Sequence, residues 1–303
     1  MIIEKTFHEV YIHVLRHLLN NGILVAKSKM VENLTFTLSN PENSLINHAK
    51  NWNWALHEGL NRMAWEEPRL MNPGTAYMFR PNWKKKLEKE GGRFCYSYGE
   101  RYFKQIPQIL KALKSKSERE AILTMWDDDY LINRYVYKRR PCTIALHFYR
   151  YKDKLSCQCF MRTSDVMNML PYDVFHHTLM QRYIATYLGI EMGFFHFTAG
   201  IAYYQKKRDV TGSVKNTLER LLAIDPPEIT NNWYFSEEDR KNLVEIQHKM
   251  FILDKEEDAL NQTLLLDSIY SKNYANAMLY YKYEKTKNGY SVQDLNEFEV
   301  VRL

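Results

Sequence analysis

Apolar side chains recur at helical spacing near the start of the chain: Phe7, Val10, Tyr11, Val14, Leu15, Leu18 and Leu19. Spacing of this kind predicts an amphipathic helix over residues 5–20. Asn20-Asn21-Gly22 supplies its stop. The period then changes. Leu34-Thr35-Phe36-Thr37-Leu38 alternates apolar with polar and predicts a strand. Residues 46–65 return to a helical pattern that carries His57 and Glu58. Pro68, Pro73, Gly74, Pro81 and Gly91-Gly92 break regular structure over 68–93 and predict a loop-rich insert. A helix follows over 103–114, then strands over 121–126 and 143–150. A third strand, 155–162, pairs with the second through the hairpin Tyr151-Lys152-Asp153-Lys154. A long helix over 174–188 and a strand over 193–204 complete the pattern. The mixture predicts an α+β domain, a large mixed sheet packed with helices.

Beyond Asp225-Pro226-Pro227 the character shifts. Ser236-Glu237-Glu238-Asp239 reads as an N-cap with an acidic first turn. Helical patterning continues through Met250 and again from Glu256 to Glu284. The expected organisation is an α+β domain over 1–228 and a mostly helical C-terminal extension over 229–303.

Composition narrows the class. A chain of 303 residues with 45% hydrophobic content can bury a sizeable core. No apolar run reaches about 18 residues, so no membrane span is expected. Met1-Ile2-Ile3-Glu4-Lys5 lacks a secretory layout. The 4 cysteines show no paired spacing, which leaves no disulfide framework and no zinc signature. A reducing, cytoplasmic location is the expectation. The net charge of +6 suits a small anionic substrate and requires no nucleic acid. The 22 tyrosines could wall a flat heterocycle, although core packing explains most such residues.

The densest chemistry lies between residues 139 and 173. Cys142 follows Arg139-Arg140-Pro141, and the guanidinium groups favour its thiolate. Leu155-Ser156-Cys157-Gln158, Arg162-Thr163-Ser164-Asp165 and Leu170-Pro171-Tyr172-Asp173 follow in order. The series resembles thymidylate synthase and its relatives, the pyrimidine nucleotide hydroxymethylases. That family runs Pro-Cys, Leu-Ser-Cys-Gln, Arg-Ser-x-Asp, Leu-Pro-Phe-Asn. Weaker matches flank it: His57-Glu58-Gly59-Leu60, Tyr98-Gly99, Arg119 followed by Trp126, and Gly193 through Gly200. The resemblance covers roughly residues 50–205.

What the resemblance implies is concrete. Cys142 is the nucleophile that adds to pyrimidine carbon 6. Glu58 handles protons near the ring, and Tyr98 and Asp173 join the catalytic set. Arg162, Thr163, Arg119, Gln158 and Tyr203 serve the nucleotide. Asp165, Trp83 and Tyr172 face a reduced folate, 5,10-methylenetetrahydrofolate. Cys95, Cys157 and Cys159 are packing residues, and His176-His177 face helix neighbours. The fold is a homodimer in which Arg119 reaches the partner's phosphate site.

Asp173 discriminates among substrates. Synthases carry Asn there and read uracil; cytidylate hydroxymethylases carry Asp. A carboxylate accepts from the amine of cytosine and, when protonated, complements ring N3. Asp173 also reads as the N-cap of the 174–188 helix. The chain departs from the family in three places. Arg119-Glu120 stands for a pair of arginines. Tyr203-Tyr204-Gln205 stands for a His-x-Tyr sugar clamp. The closing tail is replaced by a different helical region. Lys27 and Lys29 lie where another arginine loop is expected, and a solvated loop is an equal reading. A less sealed site lets water attack, which favours hydroxymethyl over methyl. Folate-dependent 5-hydroxymethylation of dCMP or CMP is the leading expectation. The alternatives are methylation of dUMP and a non-catalytic nucleotide-binding homologue.

Overall fold

The computed structural model describes residues 2–44, 46, 55, 58–59, 62–63, 98–115, 119, 121–126, 140–205, 213–226, 236–238 and 240–241. The chain divides into two compact units. One comprises Met1–His48 with Gln108–Ile229, the other Ala49–Pro107 with Thr230–Leu303.

The first unit is built on a seven-stranded mixed sheet. Its strands are β1 (Ile2–Glu4), β2 (Ile23–Val25), β3 (Ser28–Leu38), β4 (Ala121–Thr124), β5 (Thr143–Tyr151), β6 (Lys154–Asp165) and β7 (Glu191–Gln205). The order across the sheet is β1-β3-β7-β6-β5-β4, with β2 added to β3. β6 and β7 run parallel, whereas β3 and β5 lie antiparallel to their neighbours β7 and β6. The helices whose bounds are described are α1 (Phe7–Asn21), α2 (Tyr98–Ala112), α3 (Leu170–Leu188) and α4 (Ser213–Leu222). This is the α+β architecture the pattern predicts.

Alternation along the strands gives the sheet two unlike faces. Phe36, Phe197, Cys159, Leu146 and Leu123 form one continuous buried row across five strands. Phe36 and Phe197 stack with ring centroids 4.7 Å apart. Phe7 of α1 meets Phe36 on this face, at 6.1 Å. α3 reaches it through His177, whose Nε2 lies 3.2 Å from Thr143 Oγ1. The opposite face carries His147, Gln158, His196 and Thr198 at intermediate burial, with Ile122 and Phe194 at 48% and 40% exposure.

Local chemistry explains the element ends. Thr6 caps α1: its hydroxyl accepts from Glu9 N at 3.2 Å, and the Glu9 carboxylate accepts from Thr6 N at 2.8 Å. This is a reciprocal capping box. Gly22 ends the helix with φ −67°, so no left-handed turn is involved. A Cβ there would sit 2.5 Å from Leu18 O, and that close approach is what demands glycine. The hairpin between β5 and β6 turns on Lys152 and Asp153, both at positive φ (50° and 58°). That is the type I′ geometry matched to strand twist.

Several expectations shift. α2 begins at Tyr98 and not at residue 103, and it contains Pro107, where the unit boundary also falls. β3, β6 and β7 extend beyond the alternating segments. α3 begins at Leu170, four residues before the expected start, with Met169 at its N-cap. Pro171 was expected to precede the helix but occupies its first turn, where a missing N–H costs nothing. Asp173 is therefore not the cap; it lies inside the first turn. The 68–93 insert and most of 229–303 lie outside the described residues.

Candidate active site

Cys142 immediately precedes β5, and its carbonyl accepts from Arg162 N of β6 at 2.9 Å. That bond sets the two side chains next to each other. The Arg162 guanidinium then wraps the 140–142 segment. Nε donates to Pro141 O at 3.1 Å, and Nη2 donates to Arg140 O at 3.4 Å. Nη2 also lies 3.8 Å from Cys142 Sγ. Thr163 Oγ1 donates to the same sulfur at 3.9 Å and accepts from Arg162 Nη1 at 3.5 Å. The thiol thus sits between a cation and a hydroxyl, half-buried. Both neighbours favour negative charge on sulfur. Cys157 and Cys159 differ: both are fully buried, and burial pushes the Cys157 thiol well up. A thiol in that state is inert. Arg139 and Cys95 lie outside the described residues.

β6 ends at Asp165 in a tight turn. The Asp165 carboxylate accepts from Asn168 N at 3.1 Å and from Asn168 Nδ2 at 2.6 Å. Its carbonyl accepts from Met169 N at 2.8 Å. Val166 is held on both sides. Its N–H donates to Tyr203 O at 2.8 Å, and its carbonyl accepts from Tyr11 Oη at 2.9 Å. Burial, and then the negative charge of Asp165, raise the Tyr11 phenol far above its ordinary value, so it stays a donor. Tyr203 stands opposite Asp165 in the β6–β7 register. Tyr172 and Asp173 are buried in the first turn of α3. The helix dipole favours a carboxylate at that end.

Other expected residues stand apart. Gln158 is four residues from Arg162 along β6, about 13 Å at ~3.3 Å per residue. It belongs to the open sheet face, between His147 and His196. Arg119 is exposed, and its carbonyl lies 2.8 Å from His147 Nε2. Trp83 and His57 lie outside the described residues.

The second unit holds its own cluster. Glu58 Oε1 accepts from Arg62 Nε at 3.4 Å and from Nη2 at 3.5 Å. The Arg62 guanidinium lies over the Tyr98 ring, 4.0 Å from its centroid. Arg240, 1% exposed, donates to Met63 O at 2.6 Å and to both oxygens of Glu237. Arg62, Asn168 and Tyr11 escape a reading from sequence. Asn168 carried the available signal, since Asp-x-x-Asn before a helix suits a side-chain turn.

The thymidylate synthase family pattern matches residues 16–255, which takes in both clusters. The chain belongs to the thymidylate synthase family. Thymidylate synthase of Staphylococcus haemolyticus (strain JCSC1435) is 24% identical over 156 residues, 51% of this chain and 44% of that protein. Thymidylate synthase of Listeria monocytogenes serotype 4a (strain HCC23) is 25% identical over 129 residues, 41% of this chain and 40% of that protein. The matched stretch spans less than half the length of these curated relatives.

Within this family member, residues 23–30 fold as the β2–β3 hairpin, with Ala26 at φ 50° in its turn. Lys29 Nζ donates to Leu19 O near the end of α1. A cation there complements the helix dipole. Lys29 is thus a helix-terminus partner, which neither of its expected roles included. Among the described residues no cluster of metal ligands occurs.

Proposed function

We propose that the protein transfers a one-carbon unit from 5,10-methylenetetrahydrofolate to carbon 5 of a pyrimidine nucleoside monophosphate. The observation that carries this reading is the half-buried Cys142 thiol, 3.8 Å from Arg162 Nη2 and 3.9 Å from Thr163 Oγ1. The thiolate adds to carbon 6, forming a sulfur–carbon bond and making carbon 5 nucleophilic. After carbon–carbon bond formation the carbon 5 proton leaves, the bond from the transferred carbon to its carrier nitrogen would break with the electron pair going to that nitrogen, water would add to the freed carbon to give the hydroxymethyl group, and the thiolate departs to restore the ring. Arg162 and Thr163 hold the phosphate, and Glu58 with Tyr98 manages the proton. Asp165 fits a folate, because Asn168 supplies two of its bonds and a carboxylate accepts about four. The folate, when bound, supplies the carbon; Asp165 and Tyr172 orient it, with Trp83 as a stacking wall.

The substrate is a cytosine nucleotide, dCMP or CMP, and the product is its 5-hydroxymethyl derivative. Asp173, buried where the synthases carry Asn, supports this. The runner-up, methylation of dUMP, is favoured by the relatives named thymidylate synthase. A second copy of the chain covers the open sheet face, where Ile122 and Phe194 are 48% and 40% exposed. Gln158 lies within that contact, and Arg119 reaches the partner's phosphate site.

Incubation with dCMP, CMP or dUMP plus methylenetetrahydrofolate, followed by mass spectrometry of the nucleotide, tests the reading. A hydroxymethylated cytosine product supports it, and a methylated uracil product replaces it with the runner-up. Cys142→Ser should abolish tritium release from carbon 5; wild-type release from that variant removes the nucleophile. Asp173→Asn should move the cytosine-to-uracil ratio of kcat/KM about ten- to a hundredfold, as one mispaired buried contact implies. A stable, active monomer in sedimentation would remove the dimer.

A further inference from the structure

Ala55, Glu58, Gly59, Arg62 and Met63 are helical and recur at i, i+3, i+4 spacing. That spacing defines a single stripe. Ala55 and Met63 are buried at 0% and 1% exposure, so the stripe faces inward. Two charged residues stand in it, with side chains only 13% exposed for Glu58 and 6% for Arg62. A stripe of this kind ordinarily takes apolar residues. A buried ion pair is a poor stabiliser, because desolvation offsets the attraction. The pair therefore calls for a role beyond stability.

The geometry of the pair suggests that role. The two guanidinium nitrogens that reach Glu58, Nε and Nη2, fall on the same oxygen, Oε1. They do not fork across the carboxylate, so Oε2 is the oxygen left for proton traffic. The other side of the same guanidinium lies over the Tyr98 ring, and Tyr98 in turn meets Tyr102 edge-on at 6.3 Å. A cation over an aromatic face is attracted by the ring quadrupole. Arg62 thus touches two of the residues to which the proposed mechanism gives the carbon 5 proton. It fixes the direction of one and the face of the other. The Arg240 bond to Met63 O holds the adjoining helical carbonyl.

We propose that Arg62 is a positioning residue, which orients Glu58 through Oε1 and braces Tyr98 by stacking. It acts through Glu58 and not on the substrate. This proposal rests on the proposed role of Glu58 in proton handling. It adds a residue that no pattern of catalytic side chains would select.

The test is a double-mutant cycle on turnover, with Arg62→Met measured in the wild-type and Glu58→Gln backgrounds. The cycle separates action through Glu58 from general support of the fold. In the wild-type background, Arg62→Met should lower kcat at least about tenfold and leave the nucleotide KM within about threefold, as expected for an interaction felt in the transition state. In the Glu58→Gln background the same change should cost less than about threefold, because the group it orients is gone. Arg62→Lys should recover only part of the loss, since one point charge can serve Oε1 but cannot replace the planar stack on Tyr98. If Arg62→Met fails to fold, judged by its thermal melt, Arg62→Ala and Arg62→Lys in the same two backgrounds provide the comparison. Equal losses in both backgrounds would overturn the proposal and leave the role of Glu58 intact. A Glu58→Gln enzyme of wild-type activity would overturn the Glu58 role and this proposal with it. An absence of turnover in the wild-type protein would remove the underlying reaction as well.

Discussion

Replacing Arg162 with Gln removes one positive charge 3.8 Å from Cys142 Sγ and keeps a polar side chain. Two unit charges at that separation interact by about 1 kcal/mol at the dielectric constant of water and about 4 kcal/mol at an effective value of ~20. Arg162 is exposed, so the lower figure governs. About 1 kcal/mol is roughly a sixfold fall in thiolate population at fixed pH. The remaining thiolate is intrinsically more nucleophilic, which offsets nearly half of that on a logarithmic scale. Alkylation of Cys142 by iodoacetamide near neutral pH should therefore slow about threefold in Arg162→Gln. Peptide-resolved mass spectrometry isolates Cys142 from the other thiols. Salt gives a second check. The wild-type rate should fall between about 0.05 and 0.5 M salt, while the variant rate should hardly change. Arg150→Gln is the control, because Arg150 pairs with Asp153 at the far end of the hairpin. Equal rates in wild type and Arg162→Gln, with the same salt response, would show that the guanidinium does not tune the thiol.

His8 of α1 has Nε2 3.0 Å from Leu221 O of α4, and burial lowers its pKa below the ordinary 6.5. The unfolded chain thus takes up the proton first. The His8 contribution is fully present above about pH 6.5 and declines as the pH falls below it. His8→Gln should flatten the fall in Tm between about pH 7.5 and about pH 5.5, and parallel curves would refute this. Gly189 ends α3 at φ 65° with open space around its Cβ position. Gly189→Ala should destabilise by about 1 kcal/mol through backbone strain alone, read from urea unfolding. No loss would refute the strain. Arg240→Met leaves Met63 O without its 2.6 Å donor and should cost about 1–3 kcal/mol, measured by the same unfolding. An unchanged midpoint would mean that water replaces the guanidinium.

The β5–β6 hairpin was legible because its information is local. Alternating residues flank a two-residue turn, and Cys142 and Arg162 close the ladder at its far end. The sheet strands that depend on distant partners were less legible. Ser28 to Asn33 show no clean alternation; β7 pairs with that stretch and makes it a strand. β1 spans only three residues and borrows Phe36 to Leu38 as its template. The start of α3 was missed because proline reads as a stop, although the first turn tolerates it. The Cys142 and Arg162 contact could be foreseen from motif order. Arg62 could not, since a charged residue on a helix is ordinarily read as solvent-facing, and only burial reveals that it points inward.

The order of strands also has consequences for how the chain acquires its fold. β5 and β6 are adjacent in sequence and can zip quickly, whereas Phe36 must find Phe197 about 160 residues away. Closing so large a loop is slow, because the entropy is lost before the stacked rings form. The strand that carries Arg162 can thus be in place beside β7 while the other edge of β7 still waits for β3. During that interval the unpaired edge of β7 is open to other chains, and the apolar face that carries Cys157 and Cys159 is not yet fully covered. Refolding should therefore give the highest recovery at low protein concentration with a reductant present. The N-terminal segment, although made first, becomes locked into the sheet only when β7 arrives.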